Sequence, residues 1–129
     1  MILLDTHVWV WWVCRQSEKI PSAIERKIRT SHEHVSVSSV SCLEIALLVR
    51  KGRLSINGDL NNWFHLALEE SGIQLLPLTP QIATRLNTLP ELHKDPIDRV
   101  IIASAIEHQA LLITKDATIQ KYPQLEWEW

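Results

Sequence analysis

Short, uniformly apolar runs alternate along this chain with longer segments of helical period, and that alternation limits the fold more than any other feature. Ile2-Leu3-Leu4 and Leu111-Leu112-Ile113 contain no polar position, so both faces of such strands must be covered. Residues 111–114 read as one strand, Val35-Ser36-Val37 and 74–76 as two more, and 125–127 as a short edge strand. Between them the pattern predicts helices over about 6–14, 22–31, 40–50, 80–89, 96–109 and 117–121. Leu60, Trp63, Phe64, Ala67 and Leu68 recur at the spacing of another helix. Pro21 and Pro96 suit first helical turns, and Gly52 and Gly72 suit helix ends. Strands separated in this way by helices predict an α/β fold with a parallel sheet between helical layers.

The 129 residues form one domain (1–129) without repeat, linker or low-complexity tract. Hydrophobic residues make up 46% and charged residues 22%, the balance of a soluble globular chain. No apolar run reaches the roughly 18–20 residues of a membrane span. Met1-Ile2-Leu3-Leu4-Asp5 lacks the basic leader and apolar stretch of a secretory signal. Cys14 and Cys42 are too far apart for a zinc knuckle and too few for a disulfide framework. A reduced, cytoplasmic setting is expected. The net charge of −2 argues against nucleic-acid binding by the whole surface. Any basic surface must be local: Arg50, Lys51 and Arg53 at one helix end, or Lys94, Arg99 and Lys115 near the sheet rim. The first of these groups also suits the negative end of a helix dipole.

Four acids occupy equivalent places in the pattern. Asp5 ends the first strand, Asp116 lies just after the fourth, Asp98 sits in the first turn after Pro96, and Glu44 is the sole charge between Val35 and Val49. Ligands of open parallel sheets bind beyond the carboxyl ends of the strands, where these helices and strand ends converge. Clustered carboxylates repel one another unless a cation neutralises them. Oxygen ligands without a His or Cys set suit Mg²⁺ or Mn²⁺, ions that activate water and stabilise charge on phosphate. Helix capping explains the same acids one at a time. Asp95-Pro96-Ile97-Asp98 fits a helix start, Ser41-Cys42-Leu43-Glu44 has capping-box form, and Asp5 and Asp116 can each cap the helix after them. Glu44 fits that account least, because Leu43, Ile45, Ala46, Leu47 and Leu48 around it suggest a largely buried helix. A buried carboxylate needs a partner or a metal.

Leu3-Leu4-Asp5-Thr6-His7-Val8-Trp9, Ser41-Cys42-Leu43-Glu44-Ile45-Ala46, His93-Lys94-Asp95-Pro96-Ile97-Asp98-Arg99, Ile101-Ile102-Ala103-Ser104-Ala105 and Leu112-Ile113-Thr114-Lys115-Asp116 together resemble PIN-domain toxins of the VapC type. The resemblance spans essentially the whole chain, and the His-x-Asp-Pro-x-Asp-Arg stretch is its most specific piece. It implies a three-layer α/β/α sandwich with a five-stranded parallel sheet and metal-binding acids at the carboxyl rim. The family's acids match Asp5, Glu44, Asp98 and Asp116; Asp98 is preferred to Asp95, which suits the cap. The implied activity is that of an endoribonuclease toxin dependent on Mg²⁺ or Mn²⁺, hydrolysing RNA with a metal-activated water. Asp5 and Asp98 would hold the principal ion, with Glu44 and Asp116 completing the cup. Thr6 and Thr114 would orient carboxylates or serve as local caps, and Arg99 would touch phosphate or pair with an acid. The implied partners are an RNA substrate, a cognate antitoxin and a second copy of the chain, with no membrane.

His93 and His7 lack a partner of defined geometry in the sequence and read as hydrogen-bonded structural residues. Cys14 and Cys42 read as packing residues. Trp9, Trp11 and Trp12 cannot share one helix face, since successive residues are about 100° apart. Interface cores favour aromatic residues, so their helix is read as part of a protein-binding surface; packing against the final Leu125-Glu126-Trp127-Glu128-Trp129 is the other reading. Three further functions remain open. A non-catalytic regulator of the same fold would be expected to lack one of the acids, and a phosphotransfer receiver would carry adjacent acids early. A deoxyribonuclease shares the same metal chemistry.

Overall fold

The computed structural model describes residues 1–31 and 34–129. Five strands form an all-parallel sheet in the order β3-β2-β1-β4-β5: β1 (Ile2–Leu4), β2 (Val35–Ser38), β3 (Gln74–Leu76), β4 (Leu111–Ile113) and β5 (Trp127–Glu128). β1 is central and at most 3% exposed along its length, which is why it tolerates no polar residue. Its alternation divides the core. Ile2 and Leu4 join Trp9, Ile24, Ile45 and Trp63 on one face, whereas Leu3 joins Ile82, Ile101, Ile102 and Leu112 on the other.

The first face is covered by α1 (Thr6–Val13), α2 (Ser22–Thr30) and α4 (Leu60–His65), and α4 widens into a π-helical stretch over Leu66–Glu70. The second is covered by α5 (Pro80–Leu86) and α6 (Pro96–Glu107). α3 (Ser39–Arg50) packs against α1 and α6 and closes the end where the site lies. The layers are therefore the expected α/β/α sandwich.

Local chemistry sets the boundaries. Asp5, Ser38, Asp59, Thr79 and Asp95 each accept a backbone N–H at a helix start. Gly52, at φ +71°, ends α3 in a Schellman turn, in which Arg53 N–H reaches the Leu48 carbonyl at 2.9 Å.

Several boundaries differ from the sequence expectation. The edge strand lies at Trp127–Glu128 rather than 125–127, because its register is fixed by pairing of Leu112 with Trp127 and Ile113 with Glu128. α5 stops at Leu86, short of 89. α3 begins at Ser39 with Ser38 as cap, so Ser41 is inside the helix and its capping-box reading with Glu44 fails. Residues 117–121 provide only a 3₁₀ turn at Ile119–Lys121. Cys14, read as a packing residue, is the exposed cap that ends α1.

Trp9 corrects the surface reading of its helix. It is 0% exposed, its indole N–H donates to the Ala67 carbonyl at 3.1 Å, and it meets Trp63 edge-on at 5.4 Å. Trp9 is a core residue and contributes to no interaction surface. Trp11 and Trp12 are half-buried, and the Trp11 ring lies 6.0 Å from that of Trp129.

Candidate metal centre

The sheet order makes β1 the point from which the chain departs first towards β2 and later towards β4. Such a switch leaves a crevice at the carboxyl ends, and a cleft of about 340 Å³ lies there. It is lined by Asp5, His7, Trp11, Glu44, Asp95, Asp98, Lys115 and Asp116. All four acids singled out in the sequence thus face one space, together with Asp95.

Asp5 forms the floor. Its Oδ1 accepts the Thr6 N–H and its Oδ2 the Thr114 hydroxyl, each at 2.7 Å. Both partners follow from position, since Thr6 opens α1 and Thr114 comes directly after the strand paired with β1. Burial pushes the Asp5 carboxyl up; the Thr114 and Thr6 hydrogen bonds and His7 oppose this, while Asp116 adds to it. Thr114 also accepts the Asp116 N–H at 3.1 Å, so one hydroxyl connects the two acids. Asp116 Oδ1 accepts the N–H groups of Thr118 and Ile119 at 2.8 and 3.3 Å, leaving Oδ2 directed towards His93.

Glu44 approaches from α3. Its Oε1 is buried without a hydrogen-bond partner among the described residues. Burial raises its carboxyl, opposed by the Thr6 hydroxyl and His7 and reinforced by Asp5 and Asp95. Thr6 Oγ1 also pairs with Ser41 Oγ at 2.8 Å, tying α1 to α3 beside this acid. Ser41 is a site-supporting residue that the sequence reading treated only as a cap.

Asp98 is the centre of the cluster. Burial first, then the charges of Asp5, Asp95, Glu44 and Asp116, push its carboxyl up to about 8. Ligand atoms of Glu44, Asp95 and Asp98 lie within 4.8 Å of one another, as do those of His93, Asp98 and Asp116. Asp98 belongs to both trios and Asp5 to neither. Asp95 combines its cap, accepting Ile97 N–H at 2.9 Å, with a place in the first trio.

His93 is the residue that sequence reasoning set aside. Its Nε2 lies 2.9 Å from Asp98 Oδ2 and 3.4 Å from Asp116 Oδ2. Its Nδ1 accepts the Asp95 N–H at 3.1 Å. With Nδ1 accepting, the neutral ring carries its hydrogen on Nε2 and donates to the carboxylates. The imidazole therefore orients two acids and is not itself a ready ligand. The spacing His93-x-Asp95 was the available signal, because it lets a histidine accept the N–H of the helix cap.

Arg99 is placed differently from expectation. Its guanidinium donates to the carbonyls of Pro90 and Leu86 at 2.9 and 3.2 Å, and to the Tyr122 hydroxyl at 3.4 Å. A longer contact of 3.5 Å reaches the His93 carbonyl. One helical step from Asp98, it fastens the loop that carries His93 and has no direct bond to an acid among the described residues.

The residues fit a hard divalent cation. They offer oxygen donors, one carboxylate oxygen is buried and unpaired, and the mutual repulsion at Asp98 is of the kind a cation relieves.

Fold and site together define a parallel α/β domain that gathers carboxylates at the switch point of its sheet. The PIN domain model matches residues 2–125, and the chain belongs to the PIN-domain family. It is similar to Ribonuclease VapC22 of Mycobacterium tuberculosis, with 30% identity over 122 residues covering 94% of this chain and 91% of that protein. Solved structures share the fold, VapBC2 and FitAcB among them. VapBC2 from Rickettsia felis, bound to a DNA fragment from its promoter, has a TM-score of 0.72 at 18% identity, covering 99% of this chain and 98% of that one. FitAcB from Neisseria gonorrhoeae has a TM-score of 0.63 at 23% identity, covering 98% and 96%. No helix among the described residues is long and apolar enough to cross a membrane.

Proposed function

We propose that this chain is a metal-dependent endoribonuclease that acts as the toxin of a toxin–antitoxin pair. The observation that carries the reading is Asp98, shared by two groups of potential ligands and crowded by four other acids. Similarity to a VapC ribonuclease over nearly the whole chain supports RNA as the substrate.

Asp5 and Asp98 would hold Mg²⁺ or Mn²⁺, with Glu44, Asp95 and Asp116 completing the cup around them. A divalent ion there supplies activation of water and stabilisation of charge on the phosphate. Thr6 and Thr114 fix both oxygens of Asp5, and His93 keeps Asp98 and Asp116 aimed into the cleft. Lys115, on the same cleft, contributes positive charge towards a phosphate.

The partner is an antitoxin, in keeping with a toxin–antitoxin complex from Klebsiella pneumoniae that shares the fold. A second groove of about 670 Å³ suits it, bordered by Trp12, Ile20, Leu66, Arg15 and Arg29 and separated from the acid cleft by Trp11. A second copy of the chain has an apolar surface available in Leu43 and Leu47 on α3 and in Leu75 and Leu78. The proposed setting is the cytoplasm.

The test is cleavage of a mixed RNA pool by antitoxin-free protein and its Asp98→Asn variant in Mg²⁺, Mn²⁺ or EDTA. The expected result is ion-dependent cleavage that disappears in the folded variant. No cleavage by folded protein in either ion, across several RNA classes, overturns the reading in favour of a non-catalytic binding protein.

A further inference from the structure

Among the described residues, Trp11 borders both the acid cleft and the larger groove behind it. His7 stands one helical turn earlier, exposed at the edge of the acid cleft, with its ring 6.2 Å from that of Trp11. Trp129 flanks Trp11 on another side, and Lys19 Nζ lies 5.9 Å from its ring centre. A half-buried indole is thereby fixed by its neighbours beside a cup of carboxylates. Trp11, Trp12 and Trp129 each pack in part against the core, and Trp11 still lines the acid cleft. Trp9, two positions earlier, is fully buried in that core, and Trp12 lines only the groove.

We propose that Trp11, flanked by the tilted His7 ring (interplanar angle 53°), forms a stacking ledge for an unpaired base of the nucleotide next to the scissile phosphate. Lys19 then meets the adjoining phosphate, so the strand leaves the acid cleft across α1. The inference rests on the nuclease reading and adds what positions the substrate. Three features favour a nucleic-acid strand as the occupant. The aromatic surface is continuous with the acid cleft. Lys115 lines the acid cleft that Trp11 borders, and Lys19 lies over the Trp11 ring, so positive charge accompanies both parts of the surface. Every base also offers a π-face, so aromatic side chains hold single strands without needing a particular sequence. Trp11 on this account is a positioning residue for the strand, and the antitoxin groove begins beyond it.

The experiment uses a short fluorescein-labelled single-stranded RNA of mixed sequence and a series in which one abasic nucleotide is moved across the cut site. Cleavage is monitored in Mn²⁺ and binding by anisotropy in EDTA, for the unaltered protein, Trp11→Leu, Trp11→Phe and His7→Ala. Removing one stacked base costs on the order of tenfold in affinity. We expect that loss for Trp11→Leu, a smaller one for Trp11→Phe, and unchanged Mn²⁺ affinity in both. In the unaltered protein one abasic position beside the cut should reproduce the loss, and that position should cause no further loss in Trp11→Leu.

A response equal at every abasic position overturns the ledge even if a variant fails to fold, because the unaltered protein alone reports it. RNA binding that survives Trp11→Leu while antitoxin binding is lost also overturns it, and assigns Trp11 to the protein partner. If the unaltered protein neither binds nor cuts any RNA, the nuclease reading falls as well. Efficient cutting with a uniform abasic response removes the ledge alone.

Discussion

His93 Nε2 lies 2.9 Å from Asp98 Oδ2, and the imidazole is oriented before it reaches that acid, because the Asp95 N–H donates to Nδ1. A group that orients a metal-binding carboxylate typically changes affinity by about 10–100-fold when lost. His93→Leu should weaken Mn²⁺ binding by that order in a calorimetric titration. His93→Gln, whose amide can donate from a position near Nε2, should recover part of it. Equal affinity for the Leu variant and the unaltered protein would reduce His93 to a loop filler.

Asp98 is expected to make stability, and with it the affinity for a divalent ion, depend on pH. Its carboxyl rises from 3.8 to about 8 in the folded, metal-free protein. Below pH 3.8 both states hold the proton. Between 3.8 and about 8 the folded state holds more protons than the unfolded one, so stability falls as pH rises. Asp98→Asn should therefore stabilise the metal-free protein increasingly across that window. The gain near pH 8 should be on the order of 1–2 kcal/mol, since neighbouring acids relax or take up protons in its place. Melting curves at several pH values check this, and Mn²⁺ should stabilise the unaltered protein more at the alkaline end.

Thr114 joins the two strand-end acids through a single hydroxyl. Thr114→Val keeps the shape but leaves buried Asp5 Oδ2 and the Asp116 N–H without this partner. The expected cost is about 1–3 kcal/mol, measured by urea unfolding, together with a loss of cleavage. Thr114→Ser should restore much of both. A valine variant of unchanged stability would show that water replaces the hydroxyl without penalty.

Gln109 ends α6 at φ +52°, with Ala110 N–H reaching back to the Ala105 carbonyl at 2.8 Å. The left-handed region burdens a residue with a Cβ, whereas glycine adopts it readily. Gln109→Gly should raise stability by ~0.5–1 kcal/mol, visible as a higher melting temperature without a change in metal affinity. A lower melting temperature would mean that the glutamine side chain has a role beyond its backbone.

The layers of the fold were legible because their signals are local. β1 is apolar at every position, Pro96 and Asp95 mark a helix start, and Gly52 marks a helix end. The convergence of Asp5, Glu44, Asp98 and Asp116 could be read from their places relative to the strands. The features that escaped depend on distant contacts. A two-residue edge strand has no period of its own, so β5 lies away from its expected place. Trp9 and Trp11 look alike in sequence, and distant partners, the Trp63 ring and the carbonyl of Ala67 58 residues away, distinguish the core indole. Arg99 adjoins Asp98 in the chain, yet the helical rotation between them sends it to the His93 loop.

The central strand has a consequence for when the acid cluster assembles during synthesis. Asp5 precedes by 109 residues the hydroxyl that fixes it, which follows β4 on the far side of β1 from β2. Contacts so distant in sequence close late, after the intervening chain has been ordered. A nascent chain that has emerged only as far as α5 carries Asp5 and Glu44 but neither Asp98 nor the strand that completes the cup. A chain interrupted before α6 therefore lacks both the acid shared by the two ligand groups and the hydroxyl that holds the floor of the cleft.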